Sequence, residues 1–287
     1  MSIKSLPFRL LQRRAYTALS YHKYSIQSST DSPILICHGL FGSKQNWSSL
    51  GKALSSRLHR DVYTIDLRNH GASPHHPVHT YKAMAEDVIQ FMQSQQLHDP
   101  ILIGHSMGGK VIMATALQHA NQVSKVISVD MPPVAIQLAS DFERYIKAMK
   151  AVEEARPKRQ MEADEILKEF VPDIDIRMFL LTNLKRDPHD KEGVMRFRIP
   201  YDILGQSLGE ISGFDVILKD EGGHYEGPTL FIAGGNSPYL KPFTEKESEI
   251  KALFPNSKLD IIENAGHWVH AEKPEQVLSS IISFIKE

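Results

Sequence analysis

Short apolar runs rich in β-branched residues alternate along this chain with longer stretches whose apolar positions recur every three or four residues. The short runs predict strands at Leu19 to Ile26, Ile34 to Cys37, Val62 to Ile65, Ile101 to Ile103, Val126 to Val129, Thr229 to Ile232 and Lys258 to Ile262. The periodic stretches predict helices at Trp47 to Leu58, Tyr81 to Gln95, Ser106 to His119, Thr244 to Leu253 and Pro274 to Ile285. Strand and helix in alternation specify the α/β class, a mostly parallel sheet whose crossover helices cover its faces.

The alternation breaks once. From Met131 to Glu226 helical patterns such as Phe142 to Glu154 and Met161 to Phe170 follow one another without a strand run. This predicts a core made of residues 18–130 and 227–287, with residues 131–226 inserted between two core strands as a helical lid. A length of 287 residues accommodates one such core with its insertion.

Composition narrows the function classes. Lys and Arg number 33 against 34 Asp and Glu, a formal charge of −1, so no global field gathers nucleic acid or an anionic membrane. The one cysteine, Cys37, forms no intramolecular disulfide, and no apolar run reaches the length of a membrane span. The charge is unevenly spread, however. Residues 1–17 carry Lys4, Arg9, Arg13 and Arg14 and no acid, the first acidic residue being Asp31. Ile3, Leu6 and Leu10 fall on one helical face, so residues 1–17 resemble a mitochondrial presequence and the expected location is the matrix.

The richest chemistry lies where the strand ending at Ile103 runs into Gly104-His105-Ser106-Met107-Gly108 and then a helix. A sharp turn in that setting lifts a serine out of the sheet edge, and small residues two positions to either side make room for it. Ser106 is therefore the candidate nucleophile. A tetrahedral oxygen formed there needs two N–H donors. Met107 supplies one from its backbone; Leu40, in the His38-Gly39-Leu40-Phe41-Gly42 turn after an early strand, is the choice for the other, with Phe41 in reserve. His38 reads as a residue that anchors this turn.

A serine needs a histidine base, and the histidine needs a carboxylate. In folds with such a turn the order is nucleophile, acid, histidine, with the histidine after the last strand. That position is His267, its competitor being His270 three residues on. The loop after Thr229 to Ile232, Gly234-Gly235-Asn236-Ser237-Pro238-Tyr239, has no carboxylate, and the amide of Asn236 cannot replace one. The preceding strand ends in Asp130, which becomes the candidate acid. Asp66 also ends a strand, but its setting suggests a loop-organising role with Arg68. His75, His76 and His79 lie in a Pro-containing loop without ligand spacing, so no metal is expected.

With these residues in place, the chain resembles the α/β-hydrolase superfamily over essentially its full length after residue 17. More narrowly, His38 to Ser43, Asp66 to Ser73, Gly104 to Lys110, the Asp130 strand end, Gly234 to Tyr239 and Ala265 to Pro274 resemble a branch of small acyl esterases. That branch includes bacterial esterases, mitochondrial abhydrolase-domain serine hydrolases and yeast alcohol acetyltransferases. Its members place the acid after the earlier strand, as Asp130 is here. The resemblance implies an enzyme hydrolysing carboxyl esters or thioesters through an acyl-enzyme. It also implies an alternative, an alcohol acetyltransferase loaded from acetyl-CoA, with Arg156, Lys158 and Arg159 available to meet its phosphates. A catalytically silent scaffold is the reading from another class. Acetyl-CoA would be a substrate, and no cofactor is expected. The partners are small esters, thioesters or alcohols.

Overall fold

The computed structural model describes residues 17–25, 31–137, 141–187, 190–214 and 223–287. The basic segment expected to be a presequence lies outside these residues, apart from Thr17. Thr17 is buried, and its backbone N–H donates to Asp87 Oδ1 at 2.7 Å.

One seven-stranded sheet organises the core. Its strands are β1 (Tyr21–Tyr24), β2 (Ile34–Cys37), β3 (Val62–Ile65), β4 (Ile101–His105), β5 (Lys125–Val129), β8 (Thr229–Gly234) and β9 (Ser257–Ile262). They lie in the order β1-β3-β2-β4-β5-β8-β9. Only β1 runs antiparallel, pairing Tyr21 with Ile65, and every other ladder is parallel. Ile26, the expected end of the first strand, lies outside the described residues.

Alternation along each strand feeds two cores, because successive side chains leave opposite faces. Ile34, Ile36, Ile101, Ile103, Ile127 and Val129 pack with α1 (Ser48–Leu58) and the final helix, Pro274–Lys286. Leu35, Cys37, Ile65, Leu102 and Val126 pack on the other face with α2 (Tyr81–Ser94), α3 (Met107–Gln118) and much of the insertion. Both faces being covered explains why these strands read as unbroken apolar runs.

The insertion holds α4 (Asp141–Ala155), α5 (Gln160–Phe170), α6 (Ile174–Leu181), α7 (Tyr201–Gln206) and α8 (Leu208–Ser212). It also contains a feature the pattern did not announce, an antiparallel hairpin of β6 (Leu184–Arg186) and β7 (Met195–Phe197). Three residues per strand, with Lys185, Arg186 and Arg196 among them, carry no readable alternation. The single helix expected from Thr244 to Leu253 is two, α9 (Leu240–Glu245) and α10 (Glu247–Leu253), separated at Lys246. The last two helices are α11 (Val269–Glu272) and α12 (Pro274–Lys286).

The order of strands fixes where chemistry can occur. From β2 the chain crosses outward to β3 and then returns to the other side of β2 as β4. The crevice at the C-terminal ends of β2 and β4 is therefore a topological switch point, where ligands of open parallel sheets collect.

Candidate active site

Ser106 stands at that crevice, between β4 and α3, with φ 54° and ψ −119°. Such a backbone is strained for an L-residue, and the sheet and helix around it hold it there. Its N–H donates to Val129 O at 3.1 Å, tying the turn to β5. The two flanking glycines face each other: a Cβ on Gly104 would lie 2.3 Å from Gly108 O, and one on Gly108 2.5 Å from both Cys37 O and His38 O. Both positions thus require glycine for the approach of backbone to backbone.

His267 follows β9, and its Nε2 lies 3.0 Å from Ser106 Oγ. Its Nδ1 lies 2.7 Å from Asp130 Oδ2. Three side chains expected from the sequence therefore form one hydrogen-bonded series, although 161 and 137 residues separate His267 from the other two. All three are inaccessible or nearly so, at 6 % exposure for Ser106, 0 % for Asp130 and 8 % for His267. A carboxylate so deeply buried must be compensated by donors. Asp130, at φ 53°, leaves β5 and reaches under the loop after β8, where Oδ1 accepts the Gly234 N–H at 2.9 Å and Oδ2 also accepts the Ser237 hydroxyl. Ser237 was not singled out in the sequence. It stands in the loop set aside for lacking a carboxylate, and that loop supplies donors to the carboxylate from the neighbouring strand.

The competitor His270 plays another part. Its ring lies flat against Trp47 at 4.7 Å and edges His105 at 4.3 Å, and burial holds its pKa down at about 3. His105 in turn shares a hydrogen bond through Nε2 with His267 O at 2.9 Å, fixing the loop that carries His267. Burial, reinforced by His270 and His267, holds His105 well below the ordinary histidine range.

Leu40 and Met107 flank the serine from two sides. A Cβ on Gly39 would touch Ser106 Cβ at 3.2 Å, which places the His38 to Gly42 turn directly against Ser106. Among the described residues neither Leu40 N–H nor Met107 N–H meets an acceptor. Phe41 is different: its N–H donates to His70 Nε2 at 3.1 Å, and its carbonyl accepts from Asn183 Nδ2 at 2.7 Å. Phe41 is thereby removed as reserve donor, because its N–H is already spent on holding the turn. His38 anchors the same turn, with Nδ1 on Gly39 O at 2.8 Å and Nε2 accepting Leu67 N–H at 3.0 Å.

Ser106 and His267 open into a cavity of about 800 Å³. Its apolar wall comes from Leu40, Phe41 and Trp268 of the core loops and from Phe142, Ile176 and Phe179 of the insertion.

A family model described as the alpha/beta hydrolase fold matches residues 32–274. The chain belongs to the α/β-hydrolase family. It is 40 % identical over 272 residues to the sn-1-specific diacylglycerol lipase of Xenopus tropicalis, covering 93 % of this chain and 82 % of the relative. It is 38 % identical over 268 residues to a probable alcohol acetyltransferase of Saccharomyces cerevisiae, covering 88 % and 77 %. A solved structure titled a marine microorganism esterase superposes with a TM-score of 0.82 at 32 % identity, covering 93 % of this chain and 99 % of that one. The chain is accordingly an enzyme, an acyl hydrolase of the α/β-hydrolase type, in agreement with the sequence.

Within this α/β-hydrolase, Asp66 and Arg68 organise loops, but each through a partner of its own. Asp66 accepts from the backbone of Lys44 and Ala72 at 2.7 and 2.8 Å and pairs with the Lys44 ammonium. Arg68 makes a two-pronged contact with Asp87 at 2.6 and 2.8 Å. Gly71, at φ 56°, is required beside them, since a Cβ there would lie 2.1 Å from Asp66 Cγ. His76 and His79 hydrogen-bond within this loop to Asn69, and His75 reaches Arg198 O at 2.9 Å. Among the described residues no group of three or more His, Cys, Asp or Glu could hold a metal ion. No helix among them is long and apolar enough to cross a membrane.

Proposed function

We propose that Ser106, His267 and Asp130 are the catalytic triad of a serine acyl hydrolase acting on carboxyl esters or thioesters. The hydrogen-bonded series at 3.0 and 2.7 Å carries this reading. In the first half-reaction His267 Nε2 takes the Ser106 proton while Oγ attacks the acyl carbon, and Asp130 holds the ring by its Nδ1–H and stabilises the charge it gains. The N–H groups of Leu40 and Met107 meet the oxygen that becomes negative, helped by the positive end of α3. His267 then returns the proton to the departing alcohol or thiol, leaving an acyl group on Ser106. Water, deprotonated by the same imidazole, releases the acid. The three side chains supply nucleophile, base and charge, so this chemistry calls on no cofactor.

The alternative, transfer of the acyl group to an alcohol, uses the same intermediate with a different second nucleophile. Its support is the yeast relative named as a probable alcohol acetyltransferase. The phosphate contacts it would need have less: Arg156 pairs with Asp190 and Glu192 at 3.2 and 3.5 Å, Arg159 pairs with Glu162 at 2.7 Å, and neither they nor Lys158 line the cavity. The helical insertion acts as the lid of the site, because Phe142, Tyr145, Ile176 and Phe179 form part of the cavity wall. The location proposed is the mitochondrial matrix, on the strength of four basic and no acidic residues in positions 1–17.

The test is product partition. The protein is given acetyl-CoA, or a short acetate ester, with and without a primary alcohol, and free acetate is scored against acetate ester. Ser106-dependent acetate as the main product agrees with hydrolysis; ester dominating at low alcohol would make the enzyme a transferase, and turnover retained in Ser106→Ala would reject the triad.

A further inference from the structure

We propose that this pocket selects uncharged acyl esters and turns away anionic ones, and that Asp173, Asp175 and Glu272 at its mouth are the selecting groups. The inference rests on the Ser106 reading above and names its substrate class.

Three charged side chains line the cavity among the described residues, and all three are carboxylates. Each belongs to an exposed residue, which puts it at the opening and not in the depth. Two of them are held in place by their own backbone contacts. Asp173 caps α6, accepting the N–H groups of Asp175 and Ile176 at 2.8 and 3.3 Å. Glu272 accepts the Gly266 N–H at 2.7 Å, one residue before the base. The charges are thus built into the two elements that frame the entrance, the lid helix and the histidine loop.

The two arginines beside the lid carboxylates are engaged with other acids. Arg177 on α6 turns inward to Asp164 at 2.7 Å and to the carbonyls of Val171 and Pro172 at 3.0 and 2.8 Å. Arg144, beside the cavity-lining Tyr145, pairs with Asp141 at 2.6 Å. No Lys or Arg lines the cavity among the described residues. Behind the mouth the wall is aromatic and aliphatic, suited to an acyl chain without charge.

A single negative charge about 8 Å from three carboxylates in water is disfavoured by a factor of roughly two to three for each of them. The product is about tenfold against a monoanion, and larger for a donor that carries several phosphates. An acyl transfer at this site would then draw its acyl group from a neutral ester in preference to a CoA thioester.

The test compares phenyl butyrate with its para-sulfonate, two esters that differ by one remote negative charge. The sulfonate makes the phenol a better leaving group, so a slower reaction of the charged ester does not come from its chemistry. The readout is the ratio of the two kcat/KM values, in which a general loss of activity cancels. In the unaltered protein the neutral ester is expected to lead by about tenfold at about 0.01 M salt, and the lead to shrink at about 0.5 M. In Asp175→Lys the ratio should move about fivefold toward the sulfonate, and in Asp175→Asn by about half that on a logarithmic scale. A ratio near one in the unaltered protein, or one that ignores both salt and Asp175, overturns the proposal. Turnover of both esters that survives Ser106→Ala, or turnover of neither, overturns the triad reading and the inference with it.

Discussion

Ser237 and His267 hydrogen-bond the same oxygen of Asp130. The carboxylate is fixed by Gly234 N–H on its other oxygen, and Tyr239 N–H donates to the Ser237 hydroxyl at 3.1 Å, so Asp130 is oriented by the loop of the strand next to its own. Ser237→Ala should therefore lower kcat/KM about tenfold with the fold intact, whereas Ser237→Thr keeps the donor and most of the rate. Asp130→Asn should cost about a thousandfold or more, because the imidazole loses both its orientation and its counter-charge. Steady-state kinetics with circular dichroism as a check on folding separates the two. Equal losses at both positions would mean that the serine acts on structure alone.

Backbone strain at Ser106 gives a prediction of opposite sign for stability and activity. Ser106 holds φ 54° and ψ −119°, a conformation open to glycine. Ser106→Gly should abolish turnover and stabilise the protein by about 1 kcal/mol, while Ser106→Ala abolishes turnover without that gain. Urea unfolding of the three proteins decides it; equal midpoints for the Gly and Ala variants would show that the turn is relaxed.

Gly108 lies where helix α3 presses on the end of β2. A Cβ would sit 2.5 Å from the carbonyl oxygens of Cys37 and His38, backbone that cannot swing away. Gly108→Ala should cost about 3 kcal/mol or displace the turn carrying Leu40, seen as a fall in thermal midpoint together with lost activity. An unaltered midpoint and rate would contradict the close approach.

Five buried histidines set the response to acid. His38, His70, His79, His105 and His270 are all held below the ordinary value of 6.5 chiefly by burial, His79 and His270 at about 3. The unfolded chain binds protons at these positions that the folded chain does not. Stability therefore rises with pH across the window from the depressed values to about 6.5, is complete above it, and is lost as pH falls. Each histidine contributes at most about 1.4 kcal/mol per pH unit. Thermal midpoints should drop steeply between about pH 6.5 and 5, with proton uptake on unfolding seen by calorimetry in buffers of different ionisation enthalpy. A flat profile there would contradict neutral histidines.

The sheet was legible because its central parallel strands are buried on both faces and so stand out as apolar runs, as Ile34 to Cys37 and Ile101 to Ile103 do. The positions of Ser106, Asp130 and His267 were legible because each follows a strand end, and strand ends converge at one edge of a parallel sheet. What escaped depends on contacts distant in sequence. Ser237 meets Asp130 across 107 residues, and Asn183 meets Phe41 across 142, so no local pattern marks either. The β6–β7 hairpin escaped because its charged three-residue strands lack a buried face, Leu184 and Phe197 alone being buried.

The most direct measurement traps the acyl-enzyme. The protein is mixed with excess p-nitrophenyl butyrate, quenched in acid within the first turnover, and the acylated peptide is located by mass spectrometry. The expected result is a burst of nitrophenol close to one per active site and a butyryl group on Ser106, both absent in Ser106→Ala. Acylation at another residue, or a full burst in Ser106→Ala, would contradict the account.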